Sequence, residues 1–212
     1  MKQKTTQTHS SRATRGLIPL LFITFAVSTA QAQNTATTDQ GVVINGITWA
    51  TRNVDAPGTF AKTPESAGMF YQWNRKIGWN VTDKKVSGWD KSIPQGVEWE
   101  KVNDPCPWGW RVPTLFEINS LVEISGDIGL IITNDITVVE FTDTPTGNVL
   151  YLPIAGFRYR SDGGLLLGGT GYYWSSSQYD SKFAYCLFFG KRRSVIFHQS
   201  RAEGQLVRCV KE

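Results

Sequence analysis

Few side chains in this chain of 212 residues could carry reaction chemistry. Beyond residue 32 the sequence contains one histidine, His198, and three cysteines, Cys106, Cys186 and Cys209. A single histidine excludes a metal site built on a histidine pair, and a serine triad would have to use that residue. The run Ser175 to Ser177 lacks the glycine-flanked turn of a nucleophile elbow. We therefore predict no catalytic residue, no bound metal and no cofactor, and we expect His198 to be a structural imidazole whose nitrogens have hydrogen-bond partners.

The first 32 residues have the pattern of a signal peptide. Basic residues precede a short apolar run, Leu17 to Val27, and Ala30-Gln31-Ala32 supplies the small residues that a signal peptidase accepts. The apolar run is roughly half of the about 20 residues needed to span a bilayer. We predict cleavage before Gln33, secretion, and no integral membrane segment.

Removal of this leader changes the charge of the protein. Four of the 22 basic residues lie in the leader, which leaves 18 basic residues against 18 acidic ones. The pI of about 9.0 is therefore a property of the precursor. A nearly neutral mature chain gives no support for binding nucleic acid, and we predict no such partner.

The remaining sequence is long enough for one domain with a substantial core. Residues 33–40 are small and polar and are predicted to be a flexible lead-in, and residues 41–212 are predicted to be the domain. All eight tryptophans lie in that domain, together with many glycines and few helical patterns. This composition favours a loop-rich domain with short strands. We predict an α+β fold with short antiparallel strands and one or two helices.

Local chemistry predicts several elements. Asn45-Gly46, between two apolar runs, favours a tight hairpin turn at the start of the domain. Thr114 and Glu117 form a capping box that begins a helix, and Gly126 is predicted to end it. Residues 56–103 show no sustained periodicity and are predicted to be a long irregular region. Extended runs are then predicted at 128–136, 138–141 and 149–154, and runs at 172–175, 183–189, 195–198 and 205–210 are predicted to form a final sheet. Lys191 to Arg193 is predicted to be a hairpin tip.

Motifs spread along the mature chain resemble the Fibrobacter succinogenes major paralogous domain family. They are V-V-I-N-G-I-T-W-A-T-R-N-V (42–54), P-G-T-F-A (57–61), A-G-M-F-Y-Q-W-N-R (67–75), W-E-K-V-N-D-P-C-P-W-G-W-R-V-P-T (99–114), L-P-I-A-G-F-R (152–158), G-Y-Y-W-S-S-S (171–177) and V-R-C-V (207–210). That family occurs in secreted and surface proteins, largely of Bacteroidetes and Fibrobacteres, and is regarded as related to the C-type lectin-like fold. The resemblance implies the periplasm or the extracellular surface of a Gram-negative bacterium.

The resemblance also suggests roles for individual residues. Cys106 and Cys209 lie in matching motifs at the helix entry and in the last strand, so it implies a disulfide between them, with Cys186 as a buried hydrophobe. Trp174 is expected to be a buried sheet residue, and Trp108 and Trp110 are expected to seal the junction between helix and sheet. The calcium-binding motifs of C-type lectins are absent from the sequence, and Asn103-Asp104 is expected to cap a turn.

Aromatic residues of the irregular region are the remaining candidates for ligand binding. Flat rings on loops can stack against the apolar face of a sugar, whereas in a loop-rich domain they can equally form the core of the loops. The candidate residues are Tyr71, Trp73, Trp79, Trp89 and Arg75. We expect a non-enzymatic, lectin-like binding module of the cell envelope whose partner is a glycan or a cell-surface protein. The alternatives are a structural component of a surface or adhesive complex and a divergent enzyme on a fold like that of formylglycine-generating enzymes.

Overall fold

The computed structural model describes residues 1–4, 38–124, 130–133, 136–190 and 193–212. The chain divides into two units, Met1–Gln33 and Asn34–Glu212. Of the first unit, only residues 1–4 are described, and they are exposed and irregular. The apolar run and cleavage site of the predicted signal peptide, the predicted helix stop at Gly126 and most of the predicted basic hairpin tip fall outside the described residues. No helix within these ranges is long and apolar enough to cross a membrane.

The second unit consists mainly of short strands joined by irregular segments. Its described residues form one α-helix, α1 (Leu115–Ile124), and one short 3-10 helix (Lys101–Asn103). The strands are β1 (Val42–Ile44), β2 (Ile47–Trp49), β3 (Phe70–Gln72), β4 (Gly78–Trp79), β5 (Trp110–Arg111), β6 (Leu130–Thr133), β7 (Ile136–Asp143), β8 (Asn148–Pro153), β9 (Phe157–Arg158), β10 (Leu165–Leu166), β11 (Gly171–Gln178), β12 (Phe183–Phe189), β13 (Ser194–Ser200), β14 (Gly204–Gln205) and β15 (Val210–Lys211).

These strands form four sheets in which neighbouring strands pair antiparallel. Their orders are β1-β2-β15-β5, β10-β9-β14-β3-β4, β11-β12-β13 and β6-β7-β8. Several sheets of short strands with a single α-helix in the described residues confirm the predicted loop-rich α+β class.

Two sequence predictions of strands need correction. Residues 56–103 contain β3 and β4, which the pattern missed because all three residues of β3 are buried and show no alternation. The predicted strand 205–210 is in fact two strands in different sheets, because β14 pairs with β3 whereas β15 pairs with β2 and β5. The predicted final sheet is therefore reduced to β11, β12 and β13.

The hairpin at the start of the domain forms as predicted. Asn45 and Gly46 have positive φ angles of 48° and 77°, and they connect β1 to β2. Two consecutive positive φ angles match the right-handed twist of the flanking strands, and glycine and asparagine adopt them most readily. The hairpin then continues into the sheet that ends in β5, next to the helix entry.

The capping box also forms as predicted. The backbone N–H of Glu117 donates to Thr114 Oγ1 at 3.3 Å, and Glu117 Oε2 accepts from the Thr114 N–H at 2.8 Å. Arg111 adds two hydrogen bonds to the same carboxylate, at 2.8 and 2.6 Å. Burial alone would raise the pKa of Glu117, but the hydrogen bonds from Arg111 and Thr114 lower it overall. Ile118 and Leu121 then lie on the buried face of α1.

The predicted disulfide is present. Cys106, which precedes β5, is bonded to Cys209, which precedes β15, across a sequence separation of 103 residues. Cys186 is a free, fully buried cysteine on β12, as predicted. Burial raises the pKa of its thiol, so Cys186 remains protonated and behaves as a small apolar side chain.

Three buried arginines hold the irregular segments in place. Arg158, Arg201 and Arg208 are almost completely inaccessible to solvent, and each donates to backbone carbonyl oxygens. Arg158 bonds the carbonyls of Asn80, Asp83 and Gly163, and Arg208 bonds those of Ala50 and Tyr151. Apart from that of Tyr151, on β8, these carbonyls lie outside the strands, and the hydrogen bonds to them offset part of the cost of burying a charge.

Candidate functional site

Two of the predicted ligand-binding aromatics lie in the core. Tyr71 and Trp73 are both 0 % exposed, and the Trp73 indole N–H donates to the Ser175 carbonyl at 3.0 Å. The Tyr71 hydroxyl donates to the Asp55 carbonyl, and burial and the Asp55 charge raise its pKa. A ligand arriving from solvent therefore has no access to either ring face, and the two rings serve the core of the irregular region.

Trp79 and Trp89 contact each other. Their ring centres are 5.0 Å apart, and the Trp89 indole N–H donates to the Arg160 carbonyl at 3.2 Å. Trp89 is buried, and a Cβ at Gly163 or Gly204 would come within 3 Å of its ring. The two glycines thus permit close packing, and the half-buried Trp79 packs against the main apolar core. The pair joins the irregular region to the sheet that contains β14.

Arg75 lines a groove on the described surface. It forms an ion pair with Asp90 at 2.7 Å and donates to Ser92 Oγ at 2.7 Å. The groove has a volume of about 340 Å³, and Asn74 and Glu100 also line it. It is polar and has no exposed aromatic ring in its lining, so it offers hydrogen bonds without a stacking surface.

Trp108 is the most exposed aromatic residue of the described chain, although it is expected at the junction between helix and sheet. Trp108 is 98 % exposed, whereas Trp110 is buried and contacts Phe60 at 5.7 Å between ring centres. The expectation that both tryptophans seal the junction is therefore wrong for Trp108.

A tight turn explains the different positions of the two tryptophans. The Trp110 N–H donates to the Pro107 carbonyl at 3.0 Å, and Gly109 has a φ angle of 80°. This is the pattern of a turn with glycine at its third position, which places Trp108 at the outer corner. The segment Pro-Trp-Gly was the signal that could have identified Trp108 as a surface residue.

Trp108 borders a groove of about 430 Å³. The other lining residues are Thr38, Asp39, Gln40, Gly58 and Trp110. The groove combines one free aromatic face with hydroxyl and amide side chains, a combination suited to a ligand that is apolar on one face and polar at its edges.

One wall of the Trp108 groove is fixed by a buried carboxylate. Asp39 Oδ1 accepts hydrogen bonds from the Gly41 and Thr51 N–H groups at 2.8 and 3.1 Å, and Oδ2 pairs with Arg52 Nε at 3.1 Å. These contacts attach residues 38–40, the described end of the predicted lead-in, to the domain. The hydrogen bonds and the ion pair of Asp39 therefore fix this wall of the groove in position.

A third groove lies between the 3-10 helix and the entry to α1. It has a volume of about 320 Å³, and its lining includes Lys101, Asp104, Arg111 and Glu212. Both oxygens of Asp104 accept backbone N–H groups, from Cys106 and Val112, which confirms the predicted turn-capping role. Burial nonetheless raises the pKa of Asp104. Lys101 pairs with Glu212 at 3.0 Å and Arg111 with Glu117 at 2.6 Å, so both cations that line the groove already have protein partners.

The residues considered for catalysis do not form a site. Cys186 and His198 lie on opposite faces of a sheet, and the serines bond the backbone. Cys186 pairs in register with Phe197, so its side chain and that of His198 point to opposite faces of the sheet. Ser175 Oγ donates to the Tyr185 carbonyl at 2.9 Å, and Ser177 Oγ accepts the Leu115 N–H at 3.0 Å. Within the described ranges, no group of three or more His, Cys, Asp or Glu side chains is placed to hold a metal ion.

The surroundings of His198 differ from the expectation of a satisfied imidazole. Its ring stacks on Tyr179 at 4.1 Å with an interplanar angle of 7°, and on Phe197 at 5.3 Å. Nδ1 is buried and has no hydrogen-bond partner. Ring stacking, rather than hydrogen bonding at Nδ1, therefore holds this histidine.

Comparisons with models of protein families, with curated proteins and with solved structures find no match for this chain. The fold and grooves define a loop-rich α+β protein with antiparallel sheets, a disulfide and an exposed tryptophan beside a polar groove.

Proposed function

We propose that this chain is a secreted, non-enzymatic module of the bacterial cell envelope that binds glycan through the Trp108 groove. The exposed face of Trp108 carries the proposal, because an indole at the corner of a tight turn makes no contribution to the core. Indole rings bind the apolar face of a pyranose through dispersion and the hydrophobic effect. Thr38 and Gln40, on the same groove, offer hydrogen bonds to the sugar hydroxyls.

We further propose that the domain belongs to the Fibrobacter succinogenes major paralogous domain family and has a C-type lectin-like fold. Contacts between motifs far apart in sequence support this. Arg208, in V-R-C-V, donates to Asn53 Oδ1 at 2.8 Å, and the Trp174 indole donates to the Tyr71 carbonyl at 2.8 Å. The resembling motifs thus meet in the core as parts of one scaffold. A location in the periplasm or on the extracellular surface of a Gram-negative bacterium follows from this proposal and from the signal-peptide pattern.

Glycan binding by this module is proposed to be independent of calcium. The sequence has no Glu-Pro-Asn, Gln-Pro-Asp or Trp-Asn-Asp motif of the kind that binds calcium in C-type lectins. An aromatic face and neutral hydrogen-bonding groups need no hard cation to hold a sugar.

A glycan array probed with the chain, in calcium and in EDTA, tests the proposal. We expect binding to at least one glycan class under both conditions. Trp108→Ala should weaken that binding by about ten-fold or more, as expected for a central aromatic contact. Phe116→Ala is the matched control, because Phe116 is 79 % exposed but lies on α1, away from the groove lining.

Two results would count against glycan recognition at Trp108. Binding to no glycan on the array would favour the alternative, a structural component of a surface assembly. Binding that Trp108→Ala leaves unchanged would place the ligand on another surface, with the Arg75 groove as the next candidate.

A further inference from the structure

A short pair of strands separates two grooves beside the turn that carries Trp108. In β5, Trp110 lines the Trp108 groove, whereas its neighbour Arg111 lines the third groove. Successive side chains of a strand point to opposite faces of the sheet, which explains why adjacent residues reach different grooves. The face of β5 and β15 that carries Trp110 is here named the groove face.

Lys211 lies on the groove face. It pairs in register with Trp110, across β15 and β5. Residues directly opposite each other in antiparallel strands point to the same face, with their Cβ atoms about 5 Å apart. The Glu212 N–H donates to the Gly109 carbonyl at 3.1 Å, so the end of β15 is bonded to the turn of which Trp108 is the outer corner. The side chain of Lys211 therefore begins beside a ring that lines the groove.

The acidic residues of the third groove lie on the opposite face. Glu212 follows Lys211 in the chain and lines the third groove together with Asp104. Glu212 pairs with Lys101 at 3.0 Å, and both oxygens of Asp104 accept backbone N–H groups. These carboxylates therefore already have partners away from the groove face.

The Trp108 groove itself contains one charge that is already neutralised. Among its described lining residues, Asp39 alone is charged, and the Asp39 side chain is 1 % exposed and forms an ion pair with Arg52 at 3.1 Å. Lys211 is exposed, and it forms no ion pair with a described carboxylate. A ligand on the exposed ring of Trp108 would therefore lie near a positive charge that the protein does not neutralise.

We propose that Lys211 makes the Trp108 groove selective for sugars that carry a carboxylate or a sulfate group. This inference rests on the proposed glycan function and names the class of glycan. The sugar ring stacks on Trp108, and its acidic group pairs with the Lys211 ammonium. A lysine ammonium is a point charge on a flexible stem, so it should accept either acid without the fixed geometry of an arginine fork.

A glycan array sorted by charge tests this selectivity. The probes are neutral glycans, glycans that contain a uronic or sialic acid, and sulfated glycans. The chain should give its strongest signals on the two acidic groups, and Trp108→Ala should remove those signals. An increase in sodium chloride from about 0.05 M to about 0.5 M should weaken the acidic signals, because salt screens the attraction between exposed charges.

Lys211→Gln isolates the charge, because glutamine keeps a polar side chain without the ammonium. It should weaken the binding of acidic glycans by about five-fold, the upper range of an exposed ion pair, and leave neutral glycans unaffected. Lys182→Gln is the matched control, because Lys182 is also exposed but lies in the turn between β11 and β12, in another sheet. Thermal melts of both variants should coincide with that of the parent, since neither side chain is buried.

Different results would overturn different claims. Signals that depend on Trp108 but are as strong on neutral glycans as on acidic ones would overturn the role of Lys211 and leave glycan binding in place. Equal effects of Lys211→Gln and Lys182→Gln on acidic glycans would do the same. Acidic binding that survives Trp108→Ala would place the acidic glycan outside the groove and overturn the proposal. An array without any signal would overturn the glycan function itself, and the selectivity with it.

Discussion

The guanidinium carbon of Arg201 lies 4.3 Å from the centre of the Trp73 ring, and both side chains are buried. Arg201 also donates to the carbonyls of Pro94 and Gly96, at 3.3 and 2.8 Å, and to Gln178 Oε1 at 2.7 Å. One cation thus joins the irregular region to β11 while it covers a tryptophan face. Trp73, a candidate for sugar stacking by sequence, already stacks on this protein cation.

Arg201→Met should lower the free energy of unfolding by at least about 3 kcal/mol, because several buried carbonyls lose their donor at once. The unfolding free energy of Arg201→Lys should lie between those of the parent and of Arg201→Met, because the lysine ammonium keeps the charge but loses the flat face and the several donors of the guanidinium. Urea denaturation followed by tryptophan fluorescence measures both. Arg75→Met is the control, with an expected loss of about 1 kcal/mol, because its ion-pair partner Asp90 is 56 % exposed. Equal effects at the two sites would contradict this role of Arg201.

The hairpin and the helix start could be predicted from the sequence because their signals are local. Asn45-Gly46 sets its own backbone angles, and Thr114 and Glu117 bond each other within one helical turn. Buried Arg158 and Arg201 could not be predicted in this way, because arginine is usually a surface residue and its carbonyl partners lie far away in sequence. The pattern that suggested exposed loop aromatics therefore missed the cation that covers Trp73.

Prediction of the candidate site failed for a related reason. Trp108 and Trp110 flank one glycine and have the same composition around them, yet the turn exposes one and buries the other. Only the backbone angle at Gly109 separates the two positions. Thr38 and Asp39, which also line the Trp108 groove, belong to a segment whose sequence predicts a polar lead-in. Only the fold brings them beside Trp108.

The two tryptophans should therefore respond differently to mutation. Trp108→Ala should change the free energy of unfolding by less than about 0.5 kcal/mol, as is usual for exposed sites without structural contacts. Trp110→Ala should lower it by about 3 to 5 kcal/mol, because it leaves a cavity beside Phe60. Thermal melts of both variants, measured under the same conditions, provide the comparison. A large destabilisation by Trp108→Ala would show that the indole packs against the domain.

The cysteines give a prediction that thiol counting can check. With the disulfide intact, the denatured and unreduced protein should expose one thiol, that of Cys186. Cys209→Ala should raise the count to two and lower stability by up to about 4.7 kcal/mol, the chain-entropy value for a loop of about 100 residues. Cys186→Ala should reduce the count to zero and preserve the disulfide. Mass mapping that links Cys186 to either other cysteine would contradict this pairing.

Glu203 should make stability depend on pH in an unusual direction. Burial raises the pKa of this carboxyl to about 7, although the charge of Arg160 opposes the shift, and Oε2 has no hydrogen-bond partner. A carboxyl whose pKa is higher in the folded state than in the unfolded state binds its proton more tightly in the folded state. Its stabilising contribution is complete below the unfolded pKa of about 4.3. It is lost as the pH rises through 7, the pKa of the folded state.

Glu203→Gln isolates this contribution, because glutamine keeps the shape of the side chain without a titrating proton. As the pH rises from 4 to 8, the unfolding free energy of the variant should increase relative to that of the parent, by at most about 3 kcal/mol. Chemical denaturation at closely spaced pH values measures the difference, in which other titrating groups such as Glu117 cancel. A difference that is flat across this range would mean that solvent reaches Glu203 and that its pKa is ordinary. A parent that gains stability relative to Glu203→Gln as the pH rises would mean that the carboxylate has a cationic partner in the folded protein.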